Sequence, residues 1–492
     1  MSLSNKIAKN TIIQLVGKVA STVLGLFSLA LITRYLGQSG YGEYTTIINF
    51  LTIFAVFADF GLTLVTVQMI SSTKDSWQEN KILNNLFTFR LISIVLFLAL
   101  APLVLFFTPY SNVIKMGILI TAPFFIFPAL TQIIVGLLQK RLRMERAVFA
   151  EISSRIVLVI AVILVWRLNA GLNGILLATV ASGATSFLLH YILAKKFAKF
   201  KLAWDFSLWK KIIIHSWPLA VTIVLNLLYL RTDIIFLSIY KSSAEVGLYG
   251  AAYKVIDVLT TIPFMFAGLI LPILTMAWME KRRDYYKATL QRSFNFMTIL
   301  AVPLIVGGVL LSKPVMVAVA GKEFSDSGNI LGLLIIAVAF IFLGTMFSHA
   351  VIAIDKQKKL IRYYVFTSVT AIIGYLILIP RYSSTGAAIV TIYSEATIAI
   401  FSAYCVYKYS HFLPKINVLL KSIVASLVMG FFIYFYPDQF KDGYLNLIIL
   451  IVLASLVYGL FLFLLGGINI QDFKMMLKKS KKNQSYKPTN DD

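Results

Sequence analysis

Long apolar stretches alternate along this chain with two kinds of loop, one rich in lysine and arginine and the next nearly devoid of them. Reading runs of about 17 to 25 mainly apolar residues as membrane-crossing helices gives fourteen spans. They fall at 11–33, 43–69, 85–107, 113–138, 147–166, 171–193, 213–239, 247–273, 289–311, 329–353, 361–380, 386–407, 416–436 and 444–466. Basic residues outside the spans divide 32 to 8 between the two sides of the membrane. The richer side carries Lys140, Arg141, Arg143 and Arg146, then Lys195, Lys196 and Lys199, and later Lys281, Arg282 and Arg283. By the positive-inside rule this side is the cytoplasm, and both termini are expected there. An odd number of spans would scramble the bias, so an even number is required.

Composition agrees with an all-α polytopic membrane protein. With 59% hydrophobic and 13% charged residues and a mean hydropathy of +0.84, the 492 residues do not describe a water-soluble domain. The net charge of +24 would suggest nucleic acid in a soluble protein. Here the excess sits in short loops and a tail, where it orients helices and meets anionic headgroups, and no nucleic-acid partner is expected. Cys405 is the single cysteine and lies within a span, so redox compartment is not readable from it. The first apolar segment is too long for a signal peptide and is expected to remain as the first helix.

Laid on itself at an offset of 205, the chain places Tyr35, Gly42 and Tyr44 on Tyr240, Gly247 and Tyr249, and superposes the first two spans on the seventh and eighth. A six-helix unit repeated in parallel, with two helices added after it, is the organisation this suggests. The expected divisions are 1–193 for the first bundle, 194–212 for a cytoplasmic linker, 213–407 for the second bundle, 408–468 for the two added helices and 469–492 for a basic cytoplasmic tail. Trp204, Phe206 and Trp209 alternate with lysines in or beside the linker, as interfacial anchors do. Outer loops are short, and the longest, about 312–328, leaves no room for an external catalytic domain.

A charge at the centre of a spanning helix costs roughly 2.5 to 3.5 kcal/mol on insertion scales, which makes each one a functional candidate. The cations Lys18, Arg90, Arg155, Arg231 and Lys254 and the acids Asp59, Asp233, Asp257 and Glu395 all fall inside spans. At offset 205 Lys18 falls on Ile223, Asp59 on Phe264 and Arg90 on Asn295, so the repeated scaffold does not itself require them. Simpler explanations exist: Arg90 and Arg231 could snorkel to an interface. Lys254 with Asp257, and Glu151 with Arg155, have the spacing of internal helix pairs. If the cations instead share a wet cavity, their ligand is an anion with an oxygen-rich headgroup, gripped bidentately by guanidinium groups and met as point charges by the lysines. The acids are positions for a coupling ion, H+ or Na+, or for charge pairing. His349 is a lesser proton-relay candidate, more simply read as a satisfied buried histidine. No G-x-x-x-x-G-K-[ST], H-E-x-x-H or G-x-S-x-G motif occurs, no cofactor or metal is called for, and movement is expected rather than catalysis.

Residues 9–62, with RYLG and YGEY at 34–44 and ADFGL at 58–62, resemble the start of polysaccharide-export flippases of the Wzx and PST type, in the multidrug/oligosaccharidyl-lipid/polysaccharide exporter superfamily. The stretch 231–257, RTDIIFLSIYKSSAEVGLYGAAYKVID, is similar to the matching part of the second half. The resemblance implies a MATE-like, V-shaped pair of bundles that flips a polyprenyl-diphosphate-linked oligosaccharide to the outer leaflet for surface polysaccharide biosynthesis. It implies a cationic cavity, which Lys18, Arg90, Arg155, Arg231 and Lys254 can supply here. Membrane lipids, glycosyltransferases and the polymerase of the same pathway are the partners it implies. Two alternatives stay open: a cation-coupled multidrug exporter of the same superfamily, relying on Asp59 and Glu395, and a scaffold or membrane enzyme of glycan assembly.

Overall fold

The computed structural model describes residues 3–59, 61–62, 69–70, 75–437 and 443–467. The last turns expected for the second span, at 63–68, and the basic tail 469–492 lie outside the described residues. The described helices are α1 (Leu3–Asp59), α2 (Ser76–Phe106), α3 (Asn112–Lys140), α4 (Met144–Leu168), α5 (Gly171–Ala194), α6 (Phe206–Tyr240) and α7 (Ser243–Met279). They continue with α8 (Arg283–Leu310), α9 (Ser312–Ala320), α10 (Ser327–Ala353), α11 (Gln357–Ser410), α12 (Asn417–Phe435) and α13 (Tyr444–Leu464). Eleven described helices are long and apolar enough to cross a membrane.

Two of the long helices each hold two expected spans. α1 breaks at Gly37 (φ 63, ψ −174), a left-handed conformation that glycine adopts without a Cβ clash. α11 breaks at Ser383 (φ 52, ψ −135), where a side chain makes the conformation costly, by about 1–3 kcal/mol. The hydroxyl of Ser383 donates to the Glu245 carboxylate at the start of α7, and Lys241 Nζ donates to Pro380 O at 3.0 Å, so the break is held from outside. The starts of α2, α3, α6 and α7 are capped locally by side chains. Asp75, Ser111, Asp205 and Ser242 accept from the amides of Trp77, Ile114, Leu208 and Glu245.

The chain reverses at each break. Met144 N donates to Asn10 Oδ1 (2.9 Å) and Lys140 pairs with Glu79 (2.6 Å) at the end where the basic loops gather. Gly171 N donates to Tyr35 OH (2.8 Å) and Tyr110 OH bonds Ser238 Oγ (2.7 Å) at the opposite end. Lys421 Nζ reaches Gly466 O at 3.0 Å, so both ends of the described chain lie at the basic end. The expected outer loop 312–328 is a correction: its first part is α9, followed by a 3-10 turn at Lys322–Phe324. The apolar run Pro314 to Ala320 buries Met316 and Ala320 by coiling against α10 and α1, which an open loop could not do.

α1, α3, α4 and α5 pack on one another, with α2 on α1 and α3. α10, largely apolar and mostly buried, is the centre of a second group with α7, α8 and α11, and α6 lies on α11. α12 packs on α8 and α13. The two groups meet chiefly through α1 and α7. There the offset-205 match becomes a contact. A Cβ on Gly42 would lie 1.6 Å from Ser243 O, and one on Gly247 would lie 2.1 Å from Gln38 O. Residues 38 and 42 correspond to 243 and 247 at that offset, so the contact is reciprocal, as a local two-fold relation between matched segments produces.

Candidate functional site

The first arm of α1 shows how the sequence aims its charge. Ile12, Val16, Val19, Val23 and Phe27 are exposed at helical spacing and form a lipid-facing stripe. Lys18, Ser21, Thr22, Gly25 and Ser28 lie on another face and line a cavity of about 270 Å3. Arg155 of α4 and Lys254 and Asp257 of α7 complete that lining. A second cavity, of about 430 Å3, lies among α6, α7, α10 and α11, with Asn226, Arg231, Asp257, Ser348, His349 and Glu395 in its wall. A neck of about 30 Å3 runs between Thr45 and Asn49 on one side and Arg231, Lys254 and Asp257 on the other. Asp257 borders all three spaces.

Four of the five cations expected from sequence therefore line three adjoining cavities that share Asp257. Their electrostatics differ. Arg231 Nη2 lies 2.8 Å from Asp257 Oδ1, and Lys254 Nζ lies 3.5 Å from Asp257 Oδ2, so two cations share one carboxylate. The Arg231 guanidinium also sits 5.0 Å from the Tyr253 ring centre. Lys18 and Arg155 form no ion pair among the described residues, so the alternative of an internal Glu151–Arg155 pair, which their spacing allowed, is not realised. Glu151 instead accepts from Ser21 Oγ at 2.7 Å, tying α4 to α1. The site is most positive where Lys18 and Arg155 face Lys254.

Arg90 is elsewhere. It is buried and ion-paired with Asp59, while Ser93 Oγ donates to Ala58 O at 2.8 Å, so this charge fastens α2 to the second arm of α1. Asp233 is fully buried and outside the cavities, accepting from Tyr249 OH (2.6 Å) and from Ile234 N (2.7 Å). Glu395 lines the second cavity, only 6% exposed, with no hydrogen bond or ion pair among the described residues. His349 Nδ1 meets Thr345 O at 2.8 Å, which satisfies one ring nitrogen and leaves the other edge to the cavity.

Sequence reasoning missed Asn226, Ser348 and Tyr364, neutral residues whose place in the wall carries no signal in a single chain. It also missed Arg34, whose guanidinium donates to Ala318 O (2.9 Å) and Val319 O (3.3 Å) of α9 and to Tyr444 OH (2.7 Å) of α13. With Gln38 donating to Glu323 O and the Tyr41 and Phe324 rings edge to face at 5.9 Å, Arg34 seals the end opposite the basic loops.

At the basic end the segment before α6 is strapped to α2. The amides of Lys201, Ala203 and Asp205 donate to Asn84 Oδ1 (3.0 Å), Thr88 Oγ1 (2.9 Å) and Asn85 Oδ1 (2.8 Å). Trp209 Nε1 adds a bond to Asn85 Oδ1 at 3.1 Å, and Lys81 pairs with Asp205 at 2.9 Å. The Lys81 hydrogen bond, with the Leu208 amide, holds the Asp205 carboxyl below its ordinary range.

These features define a multi-pass helical membrane protein with a cation-lined interior between two halves, sealed at one end. Its fold is shared with solved transporters. The lipid II flippase MurJ, in an inward closed conformation, aligns with a TM-score of 0.74 at 19% identity over 91% of this chain and 98% of that one. An inward-facing multidrug resistance MATE family transporter of the MOP superfamily aligns at 0.67 and 14% identity, over 82% and 98%. Among curated relatives, a putative O-antigen transporter of Shigella flexneri is 24% identical over 406 residues, 78% of this chain and 93% of its own. The capsular polysaccharide biosynthesis protein CapF of Staphylococcus aureus is 23% identical over 414 residues, covering 81% and 99%. Residues 7–278 match the model of the polysaccharide biosynthesis protein family, and the chain belongs to that family.

Proposed function

We propose that this protein is a flippase that carries a polyprenyl-diphosphate-linked oligosaccharide across the cytoplasmic membrane for surface polysaccharide biosynthesis, by alternating access. The observation that carries this reading is the convergence of Lys18, Arg155, Lys254 and Arg231, from four helices and both halves, on adjoining cavities that share wall residues. Cations in a low-dielectric chamber select a multiply charged oxyanion, and a diphosphate supplies enough oxygens to engage several of them at once. Relatives named as O-antigen transporter and as flippase support the substrate class.

In this proposal the two six-helix units, 1–193 and 213–407, are the moving bodies, joined by the 194–212 linker, with the added pair 408–468 riding on the second. In this reading the basic end is cytoplasmic, and the contacts around Arg34 and Gly42 close the outer end. Lys18 and Arg155 receive the diphosphate, and Lys254 with Arg231 draws it toward the second half. Phosphate oxygens would compete with the Asp257 carboxylate for its two cations, Arg231 and Lys254. A ligand moves such an equilibrium only through unequal affinity for the two states, and this competition provides one. Arg90 supports the cavity indirectly, by holding α2 on α1. The apolar cavity of about 490 Å3 between α8, α12 and α13 suits part of the polyprenyl chain, whose remainder stays in lipid. Asp59, an acid on which the drug-exporter alternative depends, is already engaged by Arg90.

The test is complementation of a flippase-deficient strain by the chain carrying Lys18→Ala and Arg155→Ala, at matched membrane levels. Loss of complementation is expected. Full activity of the double variant would overturn the assignment.

A further inference from the structure

The diphosphate accounts for the cavity at Lys18 and Arg155 but not for the larger one beyond the neck. At about 430 Å3 that second space falls in the size class of small-molecule sites, ~300–1,000 Å3. Its wall is not that of a second phosphate site, because Glu395 and Asp257 offset Arg231. Nor is it a slot for a hydrocarbon chain, which would leave Glu395 and Arg231 facing methylene groups. Neutral hydrogen-bonding groups make up the rest of the polar wall, among them Asn226, Ser348, His349 and Tyr364, with Asn226 donating to Tyr229 OH at 2.7 Å and Ser348 Oγ bonding Ser402 Oγ at 3.0 Å.

Glu395 is the informative member. The other polar residues of its own helix turn are satisfied, since Thr391 Oγ1 donates to Ala387 O and Ser394 Oγ donates to Thr391 O, both at 3.0 Å. The carboxylate itself, 6% exposed, has no donor among the described residues. A buried acceptor in that condition is stabilised by any ligand that brings hydroxyl donors. Its position relative to the cations matters equally. Arg231 and Asp257 border both this cavity and the neck, and Lys254 and Asp257 border both the neck and the cation cavity. Because Arg231 lines this cavity directly, a diphosphate drawn to Arg231 presents its attached group inside the cavity, on the side of Glu395.

We infer that the cavity walled by Asn226, Ser348, His349 and Glu395 is a carbohydrate subsite, taking the diphosphate-proximal sugar of the lipid-linked glycan with Glu395 accepting from ring hydroxyls. The inference rests on the flippase reading and adds that glycan recognition belongs to the second half, apart from charge recognition. A vicinal diol matches the two carboxylate oxygens, and an acetamido group matches the mixed donors and acceptors of Asn226 and Ser348.

The full chain in detergent would be titrated with bare undecaprenyl diphosphate and with undecaprenyl diphosphate bearing one glucose, N-acetylglucosamine or N-acetylgalactosamine. At least one sugar-bearing lipid should bind about tenfold or more tightly than the bare lipid, the range expected of hydrogen bonds to a charged group. Glu395→Gln and Ser348→Ala should each erase most of that difference without weakening the bare lipid, whereas Lys18→Ala with Arg155→Ala should weaken all four lipids alike. Ser348→Ala carries the test if Glu395→Gln does not fold. Equal binding of bare and sugar-bearing lipids by the unaltered chain would overturn the subsite while leaving the flippase reading intact. So would equal losses for both in Glu395→Gln, which would assign Glu395 to ion coupling. Binding of tetraphenylphosphonium dependent on Glu395, with no lipid diphosphate bound at all, would overturn both readings.

Discussion

Alanine at Gly42 should open the sealed end of the molecule. Its added Cβ would lie 1.6 Å from Ser243 O, and reaching an ordinary carbon–oxygen contact of ~3.3 Å requires the halves to part there by about 1.7 Å. The obstructing atom is backbone carbonyl, so no side-chain rotation relieves it. Overpacking of this kind costs roughly 1–3 kcal/mol, enough to shift an equilibrium between sealed and open forms by about 5- to 150-fold. Gly247→Ala meets Gln38 O in the same way, at 2.1 Å. The double variant should be less than additive, because the first Cβ has already parted the segments that the second would strike. Spin labels at Ser39 and Tyr382, exposed residues of opposite halves at that end, would report the separation by dipolar spectroscopy. The expected result is a new, longer distance population in Gly42→Ala, with reduced flipping. Gly268→Ala, where a Cβ meets nothing within 4 Å, should leave the distribution unchanged. An unaltered distance distribution in folded Gly42→Ala, with normal transport, would falsify the claim that this contact seals the molecule.

Further outcomes are expected elsewhere. Asp59→Asn should lower the thermal stability of the detergent-solubilised protein by about 3–5 kcal/mol, the cost of breaking a buried ion pair from one side, and Asp59→Leu with Arg90→Met should recover much of it. Asp257→Asn leaves Arg231 and Lys254 without their shared carboxylate, so inorganic pyrophosphate should bind about tenfold more tightly, or roughly 1.4 kcal/mol, while turnover slows; unchanged affinity would argue against the competition. Asn85→Ala removes an acceptor used by both Asp205 N and Trp209 Nε1, and limited proteolysis should cut within 195–205 faster. The Lys81–Asp205 tie has a defined pH sense. Because the folded Asp205 value lies below the ordinary 3.8, its contribution is complete above that pH and fades as pH falls through the folded value, so strap cleavage should rise only in acid.

Much of this architecture could be read from residue order because each spanning helix is announced twice, by its apolar run and by the charge of its flanks. Lys18, Arg155, Arg231 and Lys254, which line the cavities, stood out for the same reason: in apolar surroundings a cation is conspicuous. Arg90 was equally conspicuous, and what separates it from the others is Asp59, a partner on a different helix that no local spacing reveals. Asn226, Ser348 and Tyr364 gave no warning, since neutral polar residues are common in such helices and only the packing of α6, α10 and α11 brings them together. Single-residue reversals at Gly37 and Ser383 were blurred into loops, and α9 was lost because nine residues are too few to register as a span. The offset-205 match of Gly42 with Gly247 was visible, but its meaning was not. Both are glycine because each lies against the other's segment.

The strap on α2 is fastened through alternate main-chain amides, those of Lys201, Ala203 and Asp205, while Leu202 and Trp204 between them turn outward. Attachment of this sort is indifferent to which side chains the strap carries and intolerant of their number. Many substitutions within it would leave the bonds to Asn84, Asn85 and Thr88 in place, yet inserting or deleting one residue would present the wrong amides to all three and carry Trp204 from the surface into the helix it now covers. The segment joining the two helix groups is thus a ruler, and its length is what these bonds constrain.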